Sequence, residues 1–452
     1  MKNKKVFILS SIFLLFALSI YIYSSDSWVR TYGTKKFDMA TSIFQTLDGG
    51  YIIGGLTKVF DREGDFALIK TDRNGNIVWS KYYPAKGEER DPFVVETTDG
   101  NYIAAMTSFS WTPRGIRLPK IWVIKINKQG KILWQKVYWC KYGELFNQVR
   151  KTPDGGVIVV GQTSINLKTA FDIFLLKLDK NGNIEWQYGY IREKIEKPES
   201  IKVTSDGGYI ITGYAIKRDS TWDDLFLLKV NSKGKVEWYK LYGGKSEEQG
   251  SDVVETSDGG FVAAGWTRTF ASRERGVEPW FIKVDKIGNV VWQKRHGNFY
   301  GGHIYSLVKV DEGYLGFGDT GGEGIGGKGL VDTITVKIDK NGNLLEHKII
   351  GEGSSDTLIF SSKTRNGEVV ACGSSSSFRK GYGSEFFAIK FDNGENVKCP
   401  MPLIVVGKKY LSADSNARVL NVYPKRLKIN FKVENTNIKA KVFKIVQKNI
   451  CN

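Results

Sequence analysis

Apolar and polar residues alternate along this chain in short runs, and Gly, Asp and Asn separate the runs. Phe93, Val95 and Thr97 fall on one face of one run, Tyr102–Thr107 forms the next, Ile121–Ile126 a third and Lys131–Tyr138 a fourth. A two-residue period of this kind predicts strands, and after Ser27 no stretch keeps the period of a helix. Asp99-Gly100-Asn101 and Asn127-Lys128-Gln129-Gly130 stand between the runs. Gly accepts the left-handed backbone that a tight hairpin needs, and Asp or Asn caps such a turn with its own side chain. Val, Ile, Phe and Tyr occupy both faces of the runs, so each sheet is expected to be covered on two sides.

The four-run unit repeats. An Asp/Asn-x-x-Gly-x-x-x-Trp phrase ends at Trp79, Trp134, Trp186, Trp238 and Trp292, with Glu346 and Cys399 in the last two Trp places, at spacings of 52–55 residues. A second phrase, Thr-x-Asp-Gly-Gly, keeps step at Asp48, Asp99, Asp154, Asp206 and Asp258, with weaker echoes at Asp311 and Asn366. A fixed period of this size marks stacked supersecondary units. Radial stacking of four-stranded sheets hides both faces of each, which is the architecture of a β-propeller. Trp28-Val29-Arg30-Thr31-Tyr32 matches a fourth strand such as Trp238–Tyr242, yet it precedes the first full unit. The seventh unit lacks a good fourth strand because Cys399-Pro400 interrupts it. The expected fold is therefore all-β, a seven-bladed propeller of four-stranded blades over 28–399. The N-terminal strand closes the ring against Phe386–Phe391.

Over about residues 28–399 these phrases resemble the repeats of exported prokaryotic seven-bladed propeller proteins, of quinoprotein-like or SBBP-like type. The Trp phrase is similar to the tryptophan-docking motif of quinoprotein propellers, and the Asp-Gly-Gly turn partly resembles the Asp-box of sialidases. The likeness implies a fold and no particular activity. Quinoprotein enzymes typically carry one more blade, a vicinal Cys pair and a calcium-bound cofactor site. This chain has no Cys-Cys, and no cofactor is expected.

Charge changes the picture at the two ends. The formal net charge is +18, and residues 400–452 hold 11 Lys/Arg against 2 Asp/Glu. This tail is expected to be a small basic β appendage, in which Leu427, Ile429, Phe431 and Val433 alternate with polar residues and Glu434–Asn437 turns into Ile438–Val446. It suits an anionic surface, although a solvated charged strand is the plainer reading. Residues 1–27 combine basic Met1–Lys5 with apolar Val6–Tyr23. They read as a signal peptide or an N-terminal membrane anchor, which places the rest outside the cell or on its surface. Cys399 and Cys451 bracket the tail and are candidates for a disulfide, whereas Cys372 lies in an apolar run.

Chemistry is harder to find. Lys70, Lys125, Lys177, Lys229, Lys283, Lys337 and Lys390 recur at one place in the third strand, and Asp65, Asp172, Asp224, Glu278, Asp332 and Glu385 precede them by five residues, with Lys120 the exception. Recurrence favours rim and turn roles for both series. The variable loops gather on the face opposite the uniform turns, and loops on a rigid scaffold are where ligands bind. That face offers Trp111, Arg114, Arg117, Trp222, Arg268, Arg273 and Arg275, residue types suited to sugar or peptide stacking and carboxylate capture. The chain has three His, none at metal-ligand spacing. His303, with Asp252 and Glu199, is placed near the central funnel, where a solvated polar lining outweighs acid–base chemistry. The expectation is a non-enzymatic exported propeller that binds a glycan, peptide or cell-surface polymer, with no metal and no sequence-specific nucleic acid. The alternatives are an extracellular hydrolase or lyase working in the funnel and a structural protein of the envelope.

Overall fold

The structure, a computed structural model, describes residues 27–34, 36–58, 64–110, 118–140, 143–163, 171–192, 194–216, 222–272, 276–297, 302–320, 331–351, 354–378 and 383–392. It also describes the backbone of seven short tail strands between 403 and 449. The hydrophobic segment 1–26, Trp111, Arg114, Arg117, Arg273, Arg275, Cys399 and Cys451 lie outside the described residues. Among the described residues no helix is long and apolar enough to cross a membrane.

Seven antiparallel sheets form a seven-bladed β-propeller. Blade 1 runs from the axis outward as Asp38–Gln45, Tyr51–Thr57, Asp65–Thr71 and Ile77–Tyr83, and the others repeat it. The innermost strands of blades 2 to 7 are Glu89–Glu96, Glu144–Lys151, Glu196–Val203, Glu248–Glu255, His303–Lys309 and Asp356–Lys363. Neighbouring blades cover both faces of each sheet. Strands Tyr102–Ser108 and Lys120–Ile126 are accordingly buried at every residue.

Ring closure follows the duplicated phrase. Trp28–Gly33 pairs antiparallel with Glu385–Phe391, Trp28 opposite Lys390 and Tyr32 opposite Phe386. It is thus the fourth strand of blade 7, hydrogen-bonded in full although more than three hundred residues separate it from its partner.

The sequence phrases meet at blade interfaces. The Trp79, Trp238 and Trp292 indole N–H groups donate to the carbonyls of Lys128, Lys286 and Lys340 in the next blade's third-to-fourth-strand turn, at 2.8, 2.9 and 3.2 Å. Four residues after Trp28, Trp79, Trp134, Trp186 and Trp238 stands a Tyr whose hydroxyl donates to the turn glycine's carbonyl: Tyr32 to Gly75, Tyr83 to Gly130, Tyr138 to Gly182, Tyr190 to Gly234 and Tyr242 to Gly288, at 2.6–3.1 Å. His296 occupies the same place and meets the Gly342 carbonyl at 2.9 Å. Gly182 shows why glycine is required in the turn. Its φ is +73°, and an added Cβ would lie 2.7 Å from the Trp134 ring.

The repeated Lys also has a partner that its spacing hides. All seven pair with a carboxylate in the turn between the first two strands of their own blade, Lys70 with Asp48 through Lys337 with Glu312 and Lys390 with Glu368, at 2.6–3.1 Å. The Asp65 series is not at the rim. These residues are buried, and where the next inner strand opens on an acid they lie near it. Asp65 stands near Glu89, Asp172 near Glu196 and Asp332 near Asp356, whereas Glu278, followed by a strand that opens on His303, pairs with Arg295 at 2.6 Å. Lys120, the exception in sequence, faces Glu144 with the opposite charge. Burial first, with neighbouring carboxylates adding to it, pushes Glu89 up to about 8 and Asp332 to about 6.

The tail is β, but it forms no hairpin of its own. Its strands 403–405, 411–414, 418–421, 425–428, 432–435, 441–442 and 446–449 pair in turn with the outer strands of blades 6, 5, 4, 3, 2, 1 and 7. Each is a fifth, antiparallel strand, so the tail circles the ring against the direction in which the blades were laid down. Within the alternating run, Leu427 and Lys428 pair with blade 3, and Lys432 and Val433 pair with blade 2. Exposed outer edges invite pairing with other chains, and a belt of this kind covers them.

Candidate functional site

Because each sheet is antiparallel, both uniform turns lie on one face of the disc, and the variable loops and blade connections lie on the other. Every inner strand starts on the loop face. Each also carries one β-bulge close to its start, for example between Ala40 and Ser42, Phe146 and Gln148, and Gly250 and Asp252. A bulge adds a residue to one strand and re-aims side chains. Here it turns Thr41, Asn147, Glu199, Ser251, Tyr305 and Ile359 into the axial cavity. These six positions are equivalent by repeat, and no two carry the same residue; blade 2 has Pro92 at that place and contributes the preceding residue, Asp91, to the wall.

The cavity they line measures about 490 Å³. Phe93, Phe146, Trp266 and Phe360 add aromatic wall, and Gln148, Gln162, Lys197 and Gln249 add polar groups. Several are held from behind. Gln162 donates to Asn147 at 3.2 Å and Gln249 to Asp223 at 2.8 Å. Lys197 pairs with Glu199 at 2.9 Å and lies 5.4 Å over the Tyr214 ring. Burial acts to lower the Lys197 pKa, but Glu199 and Tyr214 outweigh it and hold the ammonium above its ordinary value. Burial raises the carboxyl groups of Glu199 and Asp91, with Lys197 opposing it in both. Asp91 has φ +52°, the only positive value at a non-Gly residue among the described residues. Backbone in that region is strained and tends to occur at functional sites.

The funnel trio is present but does not act as one group. Asp252 is buried between blades, where it accepts from Ser200 Oγ at 2.6 Å, Leu307 N at 2.9 Å and Lys202 Nζ at 2.8 Å. It belongs to a recurring link in which the residue after the bulge accepts the next blade's backbone N–H. Ser42 does so for Val94 at 3.1 Å and Gln148 for Ile201 at 2.8 Å. Glu199 is committed to Lys197. His303 Nδ1 meets Asp319 at 2.9 Å, and the Tyr305 hydroxyl donates to the other oxygen of the same carboxylate at 2.5 Å. The His303 ring stacks on Tyr305 and meets the edge of Trp266, two residues of the cavity wall. His303 therefore positions the rim of the cavity, and Asp252 its floor.

Of the loop residues, Trp222 is described and is 46% exposed on the loop face. Sequence reasoning missed most of the cavity wall: Asp91, Asn147, Lys197, Gln249, Trp266 and Tyr305. A signal was available. Aligning the seven repeats shows three successive inner-strand places, at and just before the bulge, that differ in every copy, and two places further on one that is apolar in six of seven.

No family model matches the chain, and no curated protein matches it. Among solved structures, a protein of unknown function from Dyadobacter fermentans aligns at TM-score 0.46 and 11% identity, covering 80% of this chain and 97% of its own. A puromycin hydrolase aligns at TM-score 0.41 and 11% identity, over 77% of this chain and 52% of that one. A GH43 β-1,3-galactosidase aligns at TM-score 0.30 and 11% identity, over 80% and 96%. Likeness at this level transfers no activity.

Proposed function

We propose that this protein binds a carbohydrate in the funnel mouth on its loop face, as an exported, non-enzymatic propeller. The observation that carries the reading is a single cavity lined by bulge residues of six blades, all different in kind, together with Asp91 and an aromatic wall. A cavity of about 490 Å³ is within the range that small ligands occupy. Aromatic faces beside amide, hydroxyl and carboxyl groups match a pyranose, which is apolar on its faces and polar round its edge. A peptide added as a strand fits less well, because the tail already occupies the outer edge of every blade. Export by residues 1–26, and contact of the basic tail with an anionic cell-surface polymer, belong to the same proposal. Cell fractionation, with the chain expected outside the cytoplasmic membrane, tests the first of these.

The experiment is a glycan array followed by calorimetric titration of the full chain. Trp266→Ala and Asn147→Ala should each weaken binding, the Trp change by about 2 kcal/mol, with melting little altered. Unchanged affinity in both variants, or no glycan bound by the native chain, would sink the reading.

Hydrolysis of the bound glycan is a second reading, with one observation behind it: the strained Asp91 and Glu199, both with raised pKa, open into one cavity. Glycosidases work with two such carboxyl groups. Release of product from bound oligosaccharide, abolished in Glu199→Gln, would establish it.

A further inference from the structure

We propose that the ligand of the funnel carries an acidic group, the carboxylate of a uronic acid, and that Arg150 and Lys202 receive it on the ring axis at the cavity floor. This rests on the carbohydrate reading of the funnel and names the class of sugar. Three residues below the bulge, each inner strand turns one more side chain toward the axis. Five of these are uncharged: Phe44, Val95, Val254, Val308 and Ser362. The other two, on adjacent blades 3 and 4, are Arg150 and Lys202.

Their partners do not neutralise them. Lys202 Nζ has Asp252 Oδ1 at 2.8 Å, while Arg150 forms no ion pair among the described residues. The Arg150 guanidinium donates to the Val149 carbonyl at 3.2 Å and lies 4.7 Å from the Phe93 ring centroid and 5.5 Å from that of Phe360. Two cations against one carboxylate leave one positive charge in excess. The Lys202 side chain is 21% exposed, and Arg150 is likewise only partly buried. Phe93, Phe360 and Asp252, which touch them, also line the cavity above. Burial lowers Arg150 to about 10 and Lys202 to about 8, and Asp252 offsets it only in part.

The geometry selects among anions. The Arg150 guanidinium, set among the Phe44, Phe93 and Phe360 rings, offers a planar fork that matches a planar carboxylate. One excess charge balances a monoanion better than a phosphate dianion. The sugar ring would then sit above, against the aromatic and amide wall already described.

The test titrates the full chain with oligosaccharides ending in glucuronate or galacturonate, each against its methyl ester, and with inorganic phosphate as a bare anion. The acid should bind at least about tenfold tighter than its ester, the worth of a charge-assisted hydrogen bond. Arg150→Met should remove that preference, bringing acid and ester to equal affinity, while Arg150→Lys should retain part of it. Lys202 is faced by Asp252 from blade 5 and Arg150 from blade 3, with Glu199 and Lys197 above it on its own strand. Acid binding should therefore weaken as pH rises through about 8, where Lys202 loses its proton, and ester binding should not. Equal affinity for acid and ester overturns the proposal and spares the carbohydrate reading. Binding of neither overturns both. Phosphate binding tighter than either uronate overturns the choice of carboxylate.

Discussion

The turn face and the funnel mouth are built from the same seven repeats and have diverged to opposite degrees. On the turn face, Lys70 and its six counterparts are one residue type making one ion pair, and the Trp and Tyr contacts to the next blade recur almost as regularly. At the mouth, the place of Thr41 is filled by Pro, Asn, Glu, Ser, Tyr and Ile in the other blades. Positions whose neighbour is another blade's turn must match a shape that the repeat itself presents, seven times over. Positions whose neighbour is a cavity answer to whatever fills it. Uniformity thus marks scaffold within one chain, whereas variety alone does not mark the site, since the preceding place, Ala40 and its counterparts, also differs in every blade although Ala40, Ile304 and Leu358 are core residues.

Removing residues 28–33 should have the largest effect, because it opens the ring and bares the edge of Glu385–Phe391. Loss of a cooperative melting transition is expected, and native-like melting would break the closure argument. Next, Gly182→Ala should cost about 2–3 kcal/mol, since the new Cβ meets Trp134 in a left-handed backbone. Gly207→Ala, with φ +78° and nothing within 4 Å of its Cβ, should cost only the backbone strain of about 1–2 kcal/mol. Denaturant titration of the pair separates docking from conformation.

Lys177→Met should cost about 1 kcal/mol, because its partners Asp154 and Glu185 are 51% and 42% exposed and water can take over from the lysine. Ser251→Ala at the mouth should change stability by less than about 0.5 kcal/mol. A large loss there would show that the mouth is scaffold after all.

Proton linkage sharpens the contrast further. Glu89, Glu144 and Glu196 are raised to about 8, 7 and 7, and Asp172 and Asp332 to about 6. A folded pKa above the unfolded one gives stability that is complete below the unfolded value, near 4, and is lost as pH rises through the folded value. These interface acids therefore weaken the ring as pH rises from about 4 to about 8. His296 and His347, lowered by burial to about 4, act in the other direction, losing their contribution as pH falls from about 6.5. The turn carboxylates Asp48, Asp154 and Asp206 are lowered despite burial, through hydrogen bonds from Thr and Lys, and lose theirs below about pH 4. Five raised acids outweigh two His, so maximal melting temperature is expected between about pH 4 and 5, with a decline toward pH 8. A maximum at pH 8 would mean that the buried acids do not govern the interface.

The blade count, the turns and the closing strand were legible in the sequence because each is written in residues that recur: Trp, Asp-Gly-Gly and the Trp28–Tyr32 phrase. The Lys–Asp pairing was half legible. Both members were visible, but repeat spacing reports equivalence and not contact, so Lys70 was set beside Asp65 and not beside Asp48. The burial of Asp65 was missed because a periodic acid looks like a rim residue until the next blade is laid against it. The tail's course was not legible, since strands of two to four residues take their register from the edge they join. The cavity wall was hidden because a bulge shifts which residues face the axis, and simple alternation runs straight through it.

The tail's reverse circuit also sets an order of events. Trp28–Gly33 is synthesised well before its partner Glu385–Phe391 and must wait for it before the ring can shut. Strand 403–405 is made before the other described tail strands, and its berth on blade 6 is then already synthesised. Blade 7 receives the last of the described tail strands, 446–449, on the outer side of the closing strand itself. That strand is thus held from two sides by segments made hundreds of residues after it, so the clasp of the ring and the end of the belt are one element.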